Sequence, residues 1–260
     1  MLTISSGNIR INVRDDGPKD GRTLVFANSL GTDMRVFDAL LPLLPQGLRL
    51  VRFDKRGHGL SDAPPHPYAM EDLVGDAENV CAALGLSDIT FVGLSIGGLI
   101  GQGLAARRPD LVKALVLMDT AAKIGTPEMW QTRIETALGP GIGPMADVVL
   151  QRWFTGDFRE NSPEFPAWRN MLVRTPAEGY AGCCAAISGA DYTETTRALS
   201  LPVLALVGDQ DGSTPPDLVR RTAELCNGEF HVIAGAGHLP CVEQPAETAR
   251  LIADFLKRTG

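Results

Sequence analysis

Basic residues are outnumbered in this chain: 24 Lys and Arg against 31 Asp and Glu in 260 residues leave a formal charge of −7. No run of Lys or Arg tracks along it, which excludes a phosphate backbone, and so nucleic acid, as a partner. Long apolar runs are missing as well. None approaches the roughly 18 residues that a membrane span needs, and Met1-Leu2-Thr3-Ile4-Ser5-Ser6 has neither the basic nor the apolar region of a secretory signal. The expectation is a soluble, cytoplasmic protein with no membrane partner.

Cysteine and histidine are scarce in an informative way. The five cysteines (Cys81, Cys183, Cys184, Cys226, Cys241) are odd in number and form neither a C-x-x-C pair nor a disulfide framework, so they read mainly as small buried residues. The four histidines are scattered, with no H-E-x-x-H spacing, which gives a metal mechanism little support. There is no phosphate loop and no dinucleotide fingerprint; Gly97-Gly98 and the Gly101 to Gly103 stretch read instead as close helix-to-strand packing. No cofactor is expected.

What is present is enough apolar sequence, 44%, for one sizeable core. Short apolar runs at Ile9 to Arg14, Thr23 to Asn28, Leu48 to Phe53, Ile89 to Leu94, Ala114 to Met118, Val203 to Val207 and Glu229 to Ile233 alternate with helical patterns. Leu73, Ala77, Val80, Ala83 and Leu84 recur at helical spacing, as do Ala249, Ile252, Ala253 and Leu256. The fold class implied is α/β, a mostly parallel central sheet with helices on both faces. From Lys123 to Ala190 the alternation stops. That interval holds all three tryptophans (Trp130, Trp153, Trp168) and the Gly139-Pro140 and Gly143-Pro144 breaks, without a convincing strand. It reads as a helical cap insertion, residues 123–190, in a core made of residues 1–122 and 191–260. The plainer alternative is a pair of surface helices whose tryptophans fill a local core.

Gly93-Leu94-Ser95-Ile96-Gly97 fits G-x-S-x-G, the strained strand-to-helix turn that lifts a nucleophilic serine above the sheet in the α/β-hydrolase fold. With 28 glycines in the chain the pattern alone is weak, so placement decides. A buried-strand pattern, Ile89 to Val92, runs directly into it, and a small-residue helical pattern, Ile96 to Arg107, runs out. Bulky neighbours at 93 and 97 would clash with so tight a turn. A serine hydroxyl needs a base, and the base needs an orienting acid. In this fold the order is serine, acid, histidine, each on a loop at a strand's carboxyl end. His58 and His66 precede the serine, and His231 lies inside a strand pattern. His238, in Gly235-Ala236-Gly237-His238-Leu239, fits as base. Asp211 is favoured as the acid; Asp209, suited to bonding the loop backbone, and Asp119, after the preceding strand, are the alternatives. The oxyanion hole is assigned to the backbone N–H groups of Ile96 and Leu30.

The residues then resemble a family, the 3-oxoadipate enol-lactonases of aromatic-acid catabolism, over nearly the whole chain. Asp54-Lys55-Arg56-Gly57-His58-Gly59-Leu60-Ser61, the serine turn and Gly235 to His238 are general to the hydrolases. Closer to this family are Asn28-Ser29-Leu30-Gly31-Thr32-Asp33, Thr120 to Pro127 with Trp130 after it, and Glu178-Gly179-Tyr180-Ala181-Gly182-Cys183-Cys184-Ala185-Ala186-Ile187. Asn28-Ser29 departs from the His-Gly common in hydrolases, and Ile96 stands where the family more often has Met. The resemblance implies a serine-dependent lactone hydrolase of the β-ketoadipate pathway. Its partner would be a small lactone bearing a carboxylate, which Arg133 would hold between Trp130 and Trp153. Arg152, Arg159, Arg169, Arg174 and Lys123 are further candidates for that role. The alternatives are a carboxylesterase, another lactonase or a cofactor-free perhydrolase on the same scaffold, or a ligand-binding module without turnover. Nothing in the residue pattern specifies or excludes self-association.

Overall fold

In the computed structural model, which describes residues 2–259, one eight-stranded sheet runs in the order β1-β2-β4-β3-β5-β6-β7-β8. The strands are β1 (Leu2–Ser6), β2 (Ile9–Asp16), β3 (Thr23–Ala27), β4 (Arg49–Phe53), β5 (Ile89–Leu94), β6 (Val112–Met118), β7 (Val203–Gly208) and β8 (Glu229–Ile233). Pairing is antiparallel between β1 and β2 and between β2 and β4, and parallel from β4 through β8. Seven of the strands coincide with the apolar runs to within two residues. The eighth, β1, is mostly polar and exposed; it is a hairpin partner of β2, which only tertiary pairing reveals.

The parallel strands β3, β5 and β7 are buried at every position, the signature of a sheet covered on both faces. The covering helices are α1 (Met70–Ala83) and α2 (Ile96–Arg107), followed later by α8 (Thr193–Arg197), α9 (Pro216–Leu225), α10 (Pro240–Glu243) and α11 (Pro245–Arg258). In α11 the stripe Leu251, Ile252, Phe255 and Leu256 is buried while Arg250, Lys257 and Arg258 face water. Edge strand β8 turns most of its side chains outward, and His231 goes with them.

Between β6 and α8 the chain leaves the sheet for five further α-helices: α3 (Pro127–Leu138), α4 (Ala146–Trp153), α5 (Gly156–Asn161), α6 (Phe165–Val173) and α7 (Ala177–Gly189). Local sequence sets their starts. Thr126 caps α3 with Pro127 in its first turn, and Thr155 caps α5 by accepting the Phe158 N–H. Helix α7 comes down onto the loop after β4, where Gly57 and Gly179 meet backbone to backbone; a Cβ on either would lie inside the other's atoms. Phe154, Phe158, Phe165 and Trp168 form an aromatic cluster among α4, α5 and α6, so Trp168 does fill a local core. All five cysteines are free and buried.

Because β3 and β5 through β8 run in one direction, their carboxyl ends open along a single edge of the sheet. The loops leaving those ends carry Asn28 to Thr32, Ser95, Asp119, Asp211 and His238 in turn.

Candidate active site

Ser95 stands between β5 and α2 with φ 58° and ψ −118°, in a region that L-residues rarely occupy. The strain is held from several sides. The Ser95 N–H donates to the Met118 carbonyl at 2.9 Å, and the Ser95 carbonyl accepts the Gly98 N–H at 2.8 Å and the Thr120 hydroxyl at 2.6 Å. A Cβ at Gly93 would run into Gly97, and one at Gly97 would run into the Ala27 carbonyl, which is why the turn needs glycine at both flanks. Thr120 had no assigned role in the sequence; its contribution follows from the adjacency of β5 and β6.

His238 lies 27 residues beyond Asp211 and its Nδ1 sits 2.9 Å from Asp211 Oδ2. Both side chains are almost wholly buried. Asp211 also accepts the N–H groups of Ser213 (2.7 Å) and Thr214 (3.1 Å) and the Thr214 hydroxyl (2.7 Å). Burial pushes its pKa upward, but the His238 ring and these donors outweigh that and leave it below the ordinary carboxylate value. With Nδ1 engaged, Nε2 is the nitrogen free to serve the cavity that His238 lines.

The other aspartates behave differently. Asp209 Oδ1 accepts the N–H groups of Gly235 (2.9 Å) and Ala236 (3.2 Å), so it ties down the loop that carries His238. That is backbone bonding, as expected, but to the neighbouring loop instead of its own. Asp119 is fully buried beside Asp211, and burial followed by the Asp211 charge raises its pKa well above the usual range.

Helix α4 ends on the same two loops. The carbonyl of Trp153 accepts the His238 N–H at 2.8 Å, and that of Arg152 accepts the Gly212 N–H at 3.3 Å. Glu243, at the end of α10, completes the tie by accepting the Thr155 N–H (3.0 Å) and hydroxyl (2.7 Å) on one oxygen and the Gly237 N–H (2.7 Å) on the other. Nothing in the local sequence distinguishes Glu243 from any other helix-end acid.

The loop after β3 is equally well held. The Gly31 N–H donates to His58 Nε2 at 2.9 Å and the Thr32 N–H to the Ser29 carbonyl at 3.2 Å. No acceptor among the described residues takes the Leu30 N–H. Ile96 is the first residue of α2, where an N–H has no partner inside the helix. His58 is buried, and burial followed by the nearby Lys55 charge keeps it neutral. It is therefore a structural acceptor. His66 pairs with Glu178 at 2.7 Å and His231 is exposed near Glu229.

A cavity of about 70 Å³ is lined by Ser29, Leu30, Ser95, His238, Thr214, Trp130, Arg133, Arg152, Trp153 and Tyr180, among others. The sequence-selected Ser95, His238, Leu30, Arg133, Trp130 and Trp153 thus share one space, with Asp211 directly behind. Arg133 stacks over the Trp130 ring at 5.2 Å and reaches the Tyr180 hydroxyl at 3.4 Å. Of the other cationic candidates only Arg152 lines this cavity; Lys123 pairs with Asp191 and Arg169 with Asp147. A larger open groove of about 1470 Å³ runs past Arg52, Asp38, Glu164 and Arg174. It contains none of Ser95, Asp211 and His238, so size does not mark the reactive site here.

A family model described as the alpha/beta hydrolase fold matches residues 22–245. Two curated proteins of Acinetobacter baylyi, 3-oxoadipate enol-lactonase 2 and 3-oxoadipate enol-lactonase 1, are 34% and 31% identical to this chain, covering 98% and 99% of it and 96% of each relative. The chain belongs to the 3-oxoadipate enol-lactonase family of α/β-hydrolases. The crystal structure of the enol-lactonase from Burkholderia xenovorans LB400 superposes with a TM-score of 0.95 at 34% identity, covering 98% of this chain and all of that one. An esterase from Thermogutta terrifontis gives 0.92 at 29% identity, over 99% of this chain and 98% of that one. This family member is an enzyme, a carboxylic ester hydrolase. No helix among the described residues is long and apolar enough to cross a membrane.

Proposed function

We propose that this enzyme opens 3-oxoadipate enol-lactone to 3-oxoadipate, a step of aromatic-acid breakdown by the β-ketoadipate pathway. Ser95 attacks the lactone carbonyl as His238 Nε2 takes its proton, and Asp211 holds the imidazole and balances its charge. The N–H groups of Leu30 and Ile96 receive the oxyanion. Collapse breaks the ring C–O bond; the leaving oxygen departs as an enolate and takes the proton from His238 to give an enol, which tautomerises to the ketone. Water, deprotonated by His238, then attacks the acyl-Ser95 ester and releases the diacid. Residues 123–190 act as a cap over the 1–122 and 191–260 core and supply the substrate contacts.

The observation that carries the substrate class is Arg133 and Arg152. Both line the cavity with Ser95, and neither has a carboxylate partner among the described residues. Two unpaired guanidinium groups in the wall of a space of about 70 Å³ suit a small anionic substrate, since Arg binds a carboxylate bidentately. Trp130 and Trp153 provide the apolar walls.

Steady-state hydrolysis of the authentic enol-lactone against p-nitrophenyl acetate tests this. The expected result is a kcat/KM for the lactone at least about 100-fold higher, the scale of one well-used charged contact or more. Equal or better turnover of the simple ester replaces this reading with that of a general carboxylesterase, the reading that the likeness to the Thermogutta terrifontis esterase favours. Failure of Ser95 to react with a fluorophosphonate removes both.

A further inference from the structure

Behind the oxyanion loop lies a cation that the triad chemistry leaves unused. Lys55, in the loop after β4, is 1% exposed, and its Nζ donates to the Ser29 carbonyl at 2.5 Å. No carboxylate lies within ion-pair distance of it among the described residues, although Asp54 is next in sequence and equally buried. Asp54 is spent elsewhere, accepting from Asn12, Met34 and Leu60. A buried ammonium with no carboxylate in ion-pair contact carries a desolvation penalty that the Ser29 carbonyl and the more distant Asp54 and Asp33 charges offset only in part.

The acceptor that Lys55 has chosen gives that charge a purpose. The Ser29 carbonyl and the Leu30 N–H are the two ends of one peptide group. The same carbonyl also accepts the Thr32 N–H at 3.2 Å, the Thr32 hydroxyl at 3.0 Å and, at 3.4 Å, the Asn28 side-chain amide, so four donors converge on it, of which Lys55 alone is charged. Hydrogen bonds to an amide oxygen draw electron density toward it and leave the N–H at the other end more positive, an effect of roughly 10–30% per bond in condensed phase. An ionised donor gives the strongest version. Leu30, whose N–H has no acceptor among the described residues, lines the cavity together with Ser95.

We propose that Lys55 is an electrostatic positioning residue of the oxyanion hole: its buried ammonium polarises the Ser29–Leu30 peptide, so that its charge is best compensated when negative charge develops on the substrate oxygen. The inference rests on the serine-hydrolase reading of Ser95 and Leu30 and is independent of which ester is cleaved. A charge left unpaired in the ground state and paired in the transition state raises kcat and leaves substrate binding alone. The groups facing Lys55 are Cys183 from α7, Asp33 from the loop after β3, and Asp54 and His58 from its own loop. Burial pushes its ammonium down to about 8, with Cys183, Asp54 and Asp33 working against that. His58 is neutral and the Cys183 thiol is pushed up to about 12, so neither titrates on the same limb.

The test uses p-nitrophenyl acetate, the native enzyme, and the K55M and K55Q variants, between pH 6 and 10. Native kcat is expected to fall on an alkaline limb centred near 8. In K55M kcat at pH 7 should drop by about 10- to 100-fold, less than loss of an entire oxyanion donor, with KM within about 2-fold and the limb absent. K55Q keeps a neutral donor and should recover only part of the loss. Inhibition by a phenylboronic acid, whose tetrahedral adduct is anionic, should weaken in proportion to kcat. A native profile flat from pH 7 to 9.5, or native kcat in either variant, overturns the proposal, as does K55Q restoring kcat in full, which would make Lys55 only a tether. If K55M does not fold, the native profile and K55Q decide. Native enzyme inert to both ester and fluorophosphonate defeats the serine-hydrolase reading, whereas an active native enzyme matched by K55M defeats the Lys55 proposal alone.

Discussion

Asp119 and Asp211 arrive at one point from the ends of adjacent strands: a carboxylate oxygen of each and a ring nitrogen of His238 all lie within 4.8 Å of one another. Two carboxylates so close and so deeply buried do not both ionise. The surroundings decide which one does. Asp211 has the imidazole and three further donors, whereas Asp119 has a single donor, the Gly208 N–H at 3.0 Å on Oδ1, and no donor among the described residues on Oδ2. Asp119 is therefore the neutral acid beside a charged one.

An Asp-to-Asn series separates the three aspartates. D211N should lower kcat by about 10⁴, the scale seen when a triad acid is neutralised. D119N copies the neutral acid in shape and tolerates the backbone φ of 46°, so it should keep kcat within about 5-fold. D119A should instead lose stability by about 1–3 kcal/mol through the orphaned Gly208 N–H and alanine's poor fit at that φ. D209N should act on the His238 loop and leave kcat within roughly tenfold. Kinetics with urea unfolding on the same samples checks all four.

Lys55 predicts opposite pH trends for activity and stability. Its folded value of about 8 lies below its ordinary 10.5. Between those two values the unfolded chain holds a proton that the folded protein has released, so the free energy of unfolding rises with pH. The penalty is complete below pH 8 and relieved by pH 10.5, a contribution of about 3 kcal/mol. Urea unfolding at pH 7.5 and pH 10 should show K55M lacking this gain relative to the native protein.

Substrate-carboxylate recognition predicts a selective effect at the arginines. R133M and R152M should each raise KM for the enol-lactone by about 10- to 100-fold, the worth of a charged hydrogen bond. Both should leave p-nitrophenyl acetate nearly untouched, because its acetyl group carries no anion to hold. Equal losses on both substrates would assign these residues to the shape of the cavity.

Glu243 predicts coupling between α5 and the His238 loop. E243A leaves the N–H groups of Thr155 and Gly237 without their acceptor. The expected loss is about 1–3 kcal/mol of stability, measured by urea unfolding. A fall in kcat larger than any change in KM should accompany it, since Gly237 precedes His238.

The legible parts of the site were those with a local signature. Ser95 is flanked by glycines that a tight turn requires, His238 follows a strand in a Gly-rich loop, and Asp211 follows β7. The candidates Asp209 and Asp119 were separated only by the partners that neighbouring loops supply. Glu243 and Thr120 were missed for the same reason: their partners come from other strands and helices, at separations of 88 residues for Glu243 and Thr155 and 25 for Thr120 and Ser95, and Arg152, one of several cationic candidates in the sequence, was singled out only by its place in the cavity wall.

By itself, then, the order of apolar runs determined the parallel sheet, because strands buried on both faces admit few polar residues, and the glycines determined where the chain turns sharply. The antiparallel edge strand β1, the neutral state of Asp119 and the pairing of Lys55 with the Ser29 carbonyl were decided by the tertiary structure. Each depends on which groups burial brings together and which it leaves without a partner, and those relations span the chain.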